Sequence, residues 1–264
     1  MGPFPVSVYP WFFLTAILLG SSFGFGWQMA AWIVVVFVSV LVHELGHALV
    51  GRAFGGRPEI RLEAFGGVTF PQFTTRPGPG RQFLLSAAGP AFGLCLGVLA
   101  YALLRAWPPE PGSVSAWTVA QFIWVSIVWA AFNLLPILPL DGGNMLLAFL
   151  EGVRRKPSLA LASWISFAIA LAVGGLLTLW RGFDPFLLLW LALFALQNFA
   201  RARAARRAPA AEDATAAGPG SATELAEVES ATEEARAALV RKDFNSALAA
   251  ATRLDGGGAF RQAA

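Results

Sequence analysis

The feature that most constrains this chain is an apolar run from Ala30 to Val50 that contains the sequence HELGH, His43 to His47. About 20 apolar residues are enough for a helix to cross a bilayer, so the run predicts a membrane span. On a helix, residues four positions apart lie on one face, and His43 and His47 could therefore bind one metal ion, with Glu44 beside it to activate water. Three ionisable side chains at membrane depth are costly, which favours a functional site over a chance match on a packed helix.

The composition is that of a membrane protein. Hydrophobic residues make up 56% of the 264 residues and charged residues only 13%, and the mean hydropathy is +0.61. Residues 1–43 contain no charged side chain, whereas charges of both signs are dense from residue 201 onward. The isoelectric point near 9.6 then reflects arginines that flank apolar segments in contact with the lipid bilayer, and no basic patch interleaved with aromatic residues predicts a nucleic-acid partner.

Six segments meet the length criterion for a span: 9–27, 29–54, 82–106, 115–138, 158–180 and 183–200. Clusters of Arg and Lys follow the second, fourth and sixth segments, and such clusters mark the cytoplasmic side. The sequence therefore predicts an all-α polytopic membrane protein with six transmembrane helices and with both termini in the cytoplasm. Its expected location is the cell (inner) membrane, and the abundance of Ala, Gly and Arg with only two Lys favours a prokaryotic source.

The connection between the second and third spans carries a strand pattern. Hydrophobic residues alternate with Arg61 and Glu63, and Gly66-Gly67 lead into a second short strand, which predicts a membrane-associated β-hairpin at about 57–71. An isolated hairpin is marginally stable in water, so we expect it to lean on the membrane domain. Two interpretations stay open: the hairpin is a linker, or its edge adds an extended peptide as a further strand.

The chain after the spans is predicted to be a soluble tail attached to a membrane domain of residues 1–200. Residues 201–222 combine a basic flank with a stretch rich in small residues, typical of a flexible linker. Residues 223–264 have helical periodicity interrupted by a turn and predict a cytoplasmic helical hairpin similar to one tetratricopeptide unit. One such unit cannot bury its own apolar face. Residues 223–254 would therefore bind a partner protein or a second copy, or form an amphipathic helix pair without a specific role.

A catalytic zinc usually has three protein ligands, so the two histidines need a third partner. They are the only histidines in the chain and Cys95 is the only cysteine, in an apolar segment, which leaves carboxylates as candidates. Asp141 fits best, because it follows the fourth span on the membrane side where the cytoplasmic half of the second span lies. The carboxylates in loops or on the opposite side fit less well: Glu59, Glu63, Glu151 and Asp184.

The residues around Asp141 favour an irregular backbone at membrane depth. Pro136 and Pro139 lack backbone donors and should end the helix, and Gly142-Gly143 allow the chain to turn sharply. Carbonyl groups that lose their helical partners there need a cavity or new donors. Asn133 either offers its amide to a peptide backbone or makes an interhelical hydrogen bond.

The HELGH sequence on one span and NLLPILPLDGG at the end of a later one together resemble the motifs of the site-2 protease family of intramembrane zinc metalloproteases. The six-span layout is similar to the subgroup that lacks PDZ and CBS domains, and the segment Ser86 to Pro90 is similar to the family's small-residue motif. By themselves, the small residues of this segment, which include Gly89, predict close helix packing. The resemblance implies one zinc ion (Zn2+) per chain and the following roles: His43, His47 and Asp141 as zinc ligands, Glu44 as catalytic acid/base, and Asn133, Gly66 and Gly67 as contacts of the substrate.

The activity implied by this resemblance is the hydrolysis of peptide bonds in or near transmembrane segments of membrane proteins, in regulated proteolysis signalling. Anti-sigma factors and membrane-bound transcription factors are the substrates expected from the family. One alternative is a catalytically silent metal-binding membrane chaperone or scaffold that acts through the C-terminal tail, although such a protein has no need of Glu44. A metalloprotease with a Glu ligand on a later helix is disfavoured, because no later span carries a Glu. A transporter is disfavoured because the sequence shows no inverted repeat.

Overall fold

A computed structural model describes residues 4–64, 66–75, 77–181 and 185–207. By its internal contacts the chain divides into two units, Met1–Ala204 and Ala205–Ala264. The predicted helical hairpin at 223–264 lies outside the described residues, and the predicted domain boundaries stay predictions. The elements in chain order are β1 (Val6–Val8), α1 (Pro10–Leu19), a 3₁₀ turn (Ser21–Phe23), α2 (Trp27–Ala53), β2 (Glu59–Glu63), β3 (Gly66–Phe70), α3 (Pro79–Ala106), α4 (Val114–Asn133), α5 (Asp141–Arg154), α6 (Leu159–Arg181) and α7 (Pro185–Arg207).

Four of the described helices are long and apolar enough to cross a membrane, namely α2, α3, α4 and α6. They correspond to the second, third, fourth and fifth predicted spans, so the chain is a mostly helical, multi-pass membrane protein. The first predicted span, 9–27, is different: α1 has only 10 residues and at 1.5 Å per residue reaches about 15 Å, half of a bilayer core. It ends at Gly20, and the chain turns at Gly24, whose φ is +67°. The crossing of the membrane by α7 stays a prediction.

A three-stranded sheet in the order β1-β2-β3 lies beside α1 and α2. β2 and β3 pair antiparallel, within the 57–71 segment, and β1 pairs parallel with β2, a contact that the sequence did not predict. Ile60 and Leu62 of β2 are fully buried against the apolar residues of α2. On the other face Arg61 Nε donates to Glu59 at 2.7 Å, and this hydrogen bond with its negative charge raises the pKa of Arg61. The sheet is therefore fixed to the membrane helices by its central strand.

Helices α2 and α3 cross at small residues. A Cβ atom on Gly46 would lie 2.6 Å from the carbonyl oxygen of Ala88, so only glycine permits this approach. Small residues let the backbones of membrane helices come close, where packing rather than the hydrophobic effect holds them together. The interpretation of the segment Ser86 to Pro90 as a close-packing motif agrees with this crossing.

The fourth predicted span, 115–138, ends earlier in the structure than expected. Helix α4 stops at Asn133, and after an irregular segment a new helix, α5, begins at Asp141. The early end fits the lack of backbone donors at Pro136 and Pro139, and the peptide bond between Leu138 and Pro139 is cis. Ile137 anchors the irregular segment in a second apolar cluster formed with α6 and α7.

Candidate metal centre and active site

Helix α2 presents His43, Glu44 and His47 on its buried side. Their exposed fractions are 2%, 4% and 9%, which is unusual for a carboxylate and two imidazoles unless they bind something or each other. The one-turn spacing brings the Nε2 atoms of His43 and His47 to 3.3 Å from each other. This local geometry follows directly from the i, i+4 spacing seen in the sequence.

Asp141, the first residue of α5, completes a group of three ligand atoms. Its Oδ2 lies 3.0 Å from Nε2 of His43 and 3.2 Å from Nε2 of His47. A tetrahedral zinc with bonds of about 2.0–2.1 Å has ligand atoms about 3.3–3.4 Å apart. The group therefore fits one zinc ion in both chemistry and spacing, and within the described part of the chain it is the candidate metal site formed by His, Cys, Asp and Glu side chains.

The orientation of His47 is set by the backbone of α3. Its Nδ1 lies 2.7 Å from the carbonyl oxygen of Leu85, so Nδ1 carries the proton and Nε2 keeps its lone pair for a metal. Nδ1 of His43 is buried and makes no hydrogen bond within the described ranges. The two histidines come from the same helix, but among the described residues only His47 has a hydrogen-bond partner for its Nδ1 atom.

Gly89 of α3 leaves the space that the imidazoles occupy. A methyl group at this position would collide with Nε2 of His47 and lie 2.7 Å from Nε2 of His43. The sequence interpretation assigned Gly89 only to helix packing. Its closeness to both ligand atoms could not be seen in the sequence, because it depends on how α3 crosses α2.

Strand β3 lies directly on Glu44. The hydroxyl of Thr69 donates to Oε2 of Glu44 at 2.7 Å and lies 3.1 Å from its backbone oxygen. A methyl group at Gly67 would collide with the Glu44 side chain, and one at Gly66, where φ is +118°, would lie 2.9 Å from the ring of Trp129. The strand therefore approaches the carboxylate as closely as glycine allows, and Thr69 is a contact that sequence reasoning missed.

A cavity of about 630 Å³ brings the predicted site residues together. All seven of them line it: His43, Glu44, His47, Gly66, Gly67, Asn133 and Asp141. Much of the remaining wall is apolar and includes Trp129, Phe132, Trp190 and Phe194. The amide of Asn133 donates to the backbone oxygen of Trp129 in its own helix at 2.9 Å. Polar groups converge here in an otherwise apolar cleft, as expected of a binding site.

The residues that support Asp141 were not predicted. Ser166 of α6 and Asn198 of α7, both fully buried, hydrogen-bond to the backbone of the segment before Asp141. The only signal in the sequence is that each is a polar residue in an apolar helix, which marks a need for a partner without identifying it.

These observations define a class of protein: a multi-pass membrane protein with a buried zinc-ligand group and an adjacent carboxylate. Comparison with known proteins agrees with that class. Residues 31–109 and 105–175, together more than half of the chain, match the model of peptidase family M50. The chain therefore belongs to peptidase family M50, and the resemblance to the site-2 protease family is confirmed.

Curated relatives and one solved structure extend the comparison. "Putative zinc metalloprotease Rip3" of Mycobacterium tuberculosis is 35% identical over 151 residues, which cover 53% of this chain and 37% of that protein. Stage IV sporulation protein FB of Bacillus subtilis is 31% identical over 183 residues, which cover 64% of this chain and 60% of that protein. The chain thus matches less than two thirds of each relative. The site-2 protease structure from Methanocaldococcus jannaschii shares the fold, with a TM-score of 0.56, 21% identity, and coverage of 76% of this chain and 92% of that one.

Proposed function

We propose that this chain is an intramembrane zinc metalloprotease that hydrolyses peptide bonds in or near the transmembrane segments of membrane proteins. One observation carries the proposal: the ligand atoms of His43, His47 and Asp141 converge within 3.3 Å of one another on the wall of a cavity that Glu44 also lines. The name of the Mycobacterium tuberculosis relative as a zinc metalloprotease supports zinc as the cofactor.

The roles of the chain's own groups follow from their positions. When bound, zinc supplies the polarisation that lowers the pKa of a water molecule towards about 7. Glu44 accepts the proton of the attacking water on its carboxylate and returns it to the leaving amine. Thr69 orients that carboxylate through its hydroxyl, at 2.7 Å from Oε2. His43, His47 and Asp141 hold the metal in place, and the apolar wall limits access of bulk water.

The open edge of β3 offers a place for an extended substrate. Both edges of β2 are already paired, with β1 and with β3. Among the described strands β1 and β3 each keep an edge without a strand partner, and β3 is the one that contacts Glu44. A helix hides its carbonyl groups in hydrogen bonds, so a transmembrane substrate must unwind before it is cut, and addition to β3 would satisfy its backbone meanwhile. Gly66 and Gly67 let β3 lie against Trp129 and Glu44, and Asn133 adds an amide to the same cavity.

The same proposal covers location and substrates. Basic residues lie at the ends of α2 and α3 that are nearest the metal group: Arg52 at the end of α2 and Arg81 at the start of α3. This bias supports a catalytic centre in the cytoplasmic half of the cell membrane, with cytoplasmic termini. Single-span signalling proteins, such as anti-sigma factors or membrane-bound transcription factors, are the proposed substrates, and residues 223–254 are proposed to bind a partner protein or a second copy.

Cleavage of a model transmembrane peptide by the purified protein tests this function. The wild-type protein should contain one zinc ion and cut within the apolar part of the peptide, as read by mass spectrometry of the products. The Glu44→Gln variant should keep its zinc and lose about 10²- to 10⁴-fold in rate, whereas Glu110→Gln, in the exposed loop before α4, should match the wild type. Full turnover by Glu44→Gln would remove Glu44 from the mechanism.

The same assay separates the protease from the silent chaperone or scaffold. A wild-type protein that binds zinc and the peptide but leaves the peptide intact under all conditions would favour the silent protein. If the protein is a protease, Glu44→Gln should also retain its natural substrate, and co-purification with this variant would identify it.

A further inference from the structure

The irregular segment 134–140 delivers Asp141 to the two histidines, and the backbone hydrogen bonds within it are those of local turns, such as Ile137 N–H to the oxygen of Leu135 at 2.7 Å and Leu140 N–H to the oxygen of Ile137 at 2.8 Å. Its central residues are buried, with exposed fractions of 0% for Ile137 and 4% for Leu138. Backbone polar groups in such surroundings need partners, because an unpaired buried group costs about as much as a lost hydrogen bond. The partners of Leu138 and Pro136 come from α6 and α7 rather than from the helices that carry the ligands.

Ser166 of α6 makes two of these contacts. Its hydroxyl accepts a hydrogen bond from the backbone N–H of Leu138 at 3.0 Å and donates one to the backbone oxygen of Pro136 at 3.3 Å. Its exposed fraction is 0%. The hydroxyl thus replaces the two backbone partners that the proline-broken helix no longer supplies.

Asn198 of α7 makes the complementary contact. Its side-chain amide donates to the backbone oxygen of Leu138 at 2.5 Å and to that of Phe194, within its own helix, at 2.8 Å. Its exposed fraction is also 0%. Both backbone groups of Leu138 are therefore satisfied by side chains, one from each of two helices that carry no metal ligand.

We propose that Ser166 and Asn198 are positioning residues that hold Asp141 at the metal site by fixing the backbone of Leu138. The inference rests on the proposed role of Asp141 as a zinc ligand. Two facts transmit the position of Leu138 to Asp141. Only Pro139 and Leu140 separate the two residues, and a methyl group at Gly143 would collide with the Leu138 nitrogen, so the first turn of α5 rests against this backbone. A displacement of Leu138 therefore moves the carboxylate relative to two Nε2 atoms that lie only 3.0 and 3.2 Å away.

A matched pair of serines on α6 provides the first test. Ser163 has the same exposed fraction of 0% as Ser166, but its hydroxyl makes no hydrogen bond in the described part of the chain. Zinc release from the purified protein to a chromogenic chelator would be measured for Ser166→Ala and Ser163→Ala. Residues that orient a metal ligand typically contribute 10- to 100-fold to metal affinity, so we expect release about tenfold faster for Ser166→Ala and unchanged for Ser163→Ala. Equal release rates in the two variants would overturn the proposal.

A second comparison separates positioning of Asp141 from general damage to the fold. In the Asp141→Asn background, Ser166→Ala and Asn198→Ala should add little to the already faster zinc release, because they act through the carboxylate that is missing. In the wild-type background the double variant Ser166→Ala/Asn198→Ala should approach the release rate of Asp141→Asn and not exceed it. If Ser166→Ala and Asn198→Ala accelerate zinc release as much in the Asp141→Asn background as in the wild type, the proposal is overturned. The two residues would then act on the histidines or on the whole domain, not on Asp141.

The same experiments keep this inference apart from the proposed function. If wild-type protein binds zinc and cuts the peptide while Ser166→Ala and Asn198→Ala release zinc like the wild type, the positioning role fails and the protease stands. If Asp141→Asn itself releases zinc like the wild type, Asp141 is not a ligand, and both the assigned ligand set and the positioning role fail.

Discussion

His43 and His47 come from adjacent turns of one long helix, whereas Asp141 starts a helix after an irregular segment bounded by α4 and α5. The histidine side needs the regular geometry of α2, one backbone acceptor, the oxygen of Leu85, and the space that Gly89 leaves. The aspartate side needs two prolines, two glycines and hydrogen bonds from two further helices. A metal site can therefore join a locally encoded half to a half that forms only when the whole domain has folded.

Removal of a zinc ligand should give the largest effect, and it shows whether the two halves contribute equally to zinc affinity. We expect His47→Ala to lower zinc affinity by more than about 100-fold, because changes merely to residues around the ligands already cost 10- to 100-fold. Asp141→Asn should cost less, since it keeps the shape of the side chain and an oxygen atom but loses the charge. Zinc stoichiometry by elemental analysis and competition with a chelator would measure both. Unchanged zinc binding by Asp141→Asn would mean that another group is the third ligand.

Gly89→Ala tests how far the histidine side of the metal site depends on α3. The added methyl group collides with Nε2 of His47, so we expect zinc affinity to fall by about tenfold or more while the metal-free protein unfolds at nearly the same temperature. The far end of an imidazole can rotate away, which spares the fold but not the site. Gly175→Ala in α6 is the control, because a Cβ there meets no atom within 4 Å. A large loss of stability without loss of zinc binding would contradict this reading of Gly89.

The difference between the histidine side and the aspartate side of the metal site also shows what the sequence could and could not predict. The i, i+4 pair, the neighbouring Glu44 and the proline-glycine context of Asp141 are local patterns, and the structure brings all of these residues to one cavity. The parallel pairing of β1 with β2 and the contacts of Ser166 and Asn198 with Leu138 depend instead on residues that are distant in the sequence. Gly142-Gly143 illustrate the difference: the sequence suggested a sharp turn, whereas the structure requires glycine there because the backbone of 134–138 lies against it.

Gly142→Ala would test the aspartate side in the same way as Gly89→Ala tests the other. The methyl group would collide with the backbone of Leu134 and Leu135, which cannot rotate away as a side chain does. We expect the free energy of unfolding to fall by about 1–3 kcal/mol, the usual cost of overpacking, together with weaker zinc binding. Unfolding in detergent, followed by circular dichroism, would measure the first effect. Gly175→Ala should instead be neutral or stabilising by about 0.5–1 kcal/mol, because alanine is favoured over glycine within a helix. Equal stability of the two variants would show that the aspartate side tolerates movement of its backbone.

Thr69→Val should give the smallest effect and extends the comparison to the catalytic carboxylate. Glu44 belongs to the locally encoded half, yet its orientation depends on a hydroxyl from β3 at 2.7 Å. A hydrogen bond to a charged group contributes about 1.5–3 kcal/mol, so removal of the hydroxyl without change of shape should lower kcat by about tenfold. KM should stay constant if Thr69 acts on the carboxylate and rise if it acts on the substrate strand. Thr69→Ser, which keeps the hydroxyl, should restore kcat. Valine is at least as good a strand former as threonine, so a loss of kcat in Thr69→Val that serine repairs would show that even the helical half of the site depends on a contact made across the fold.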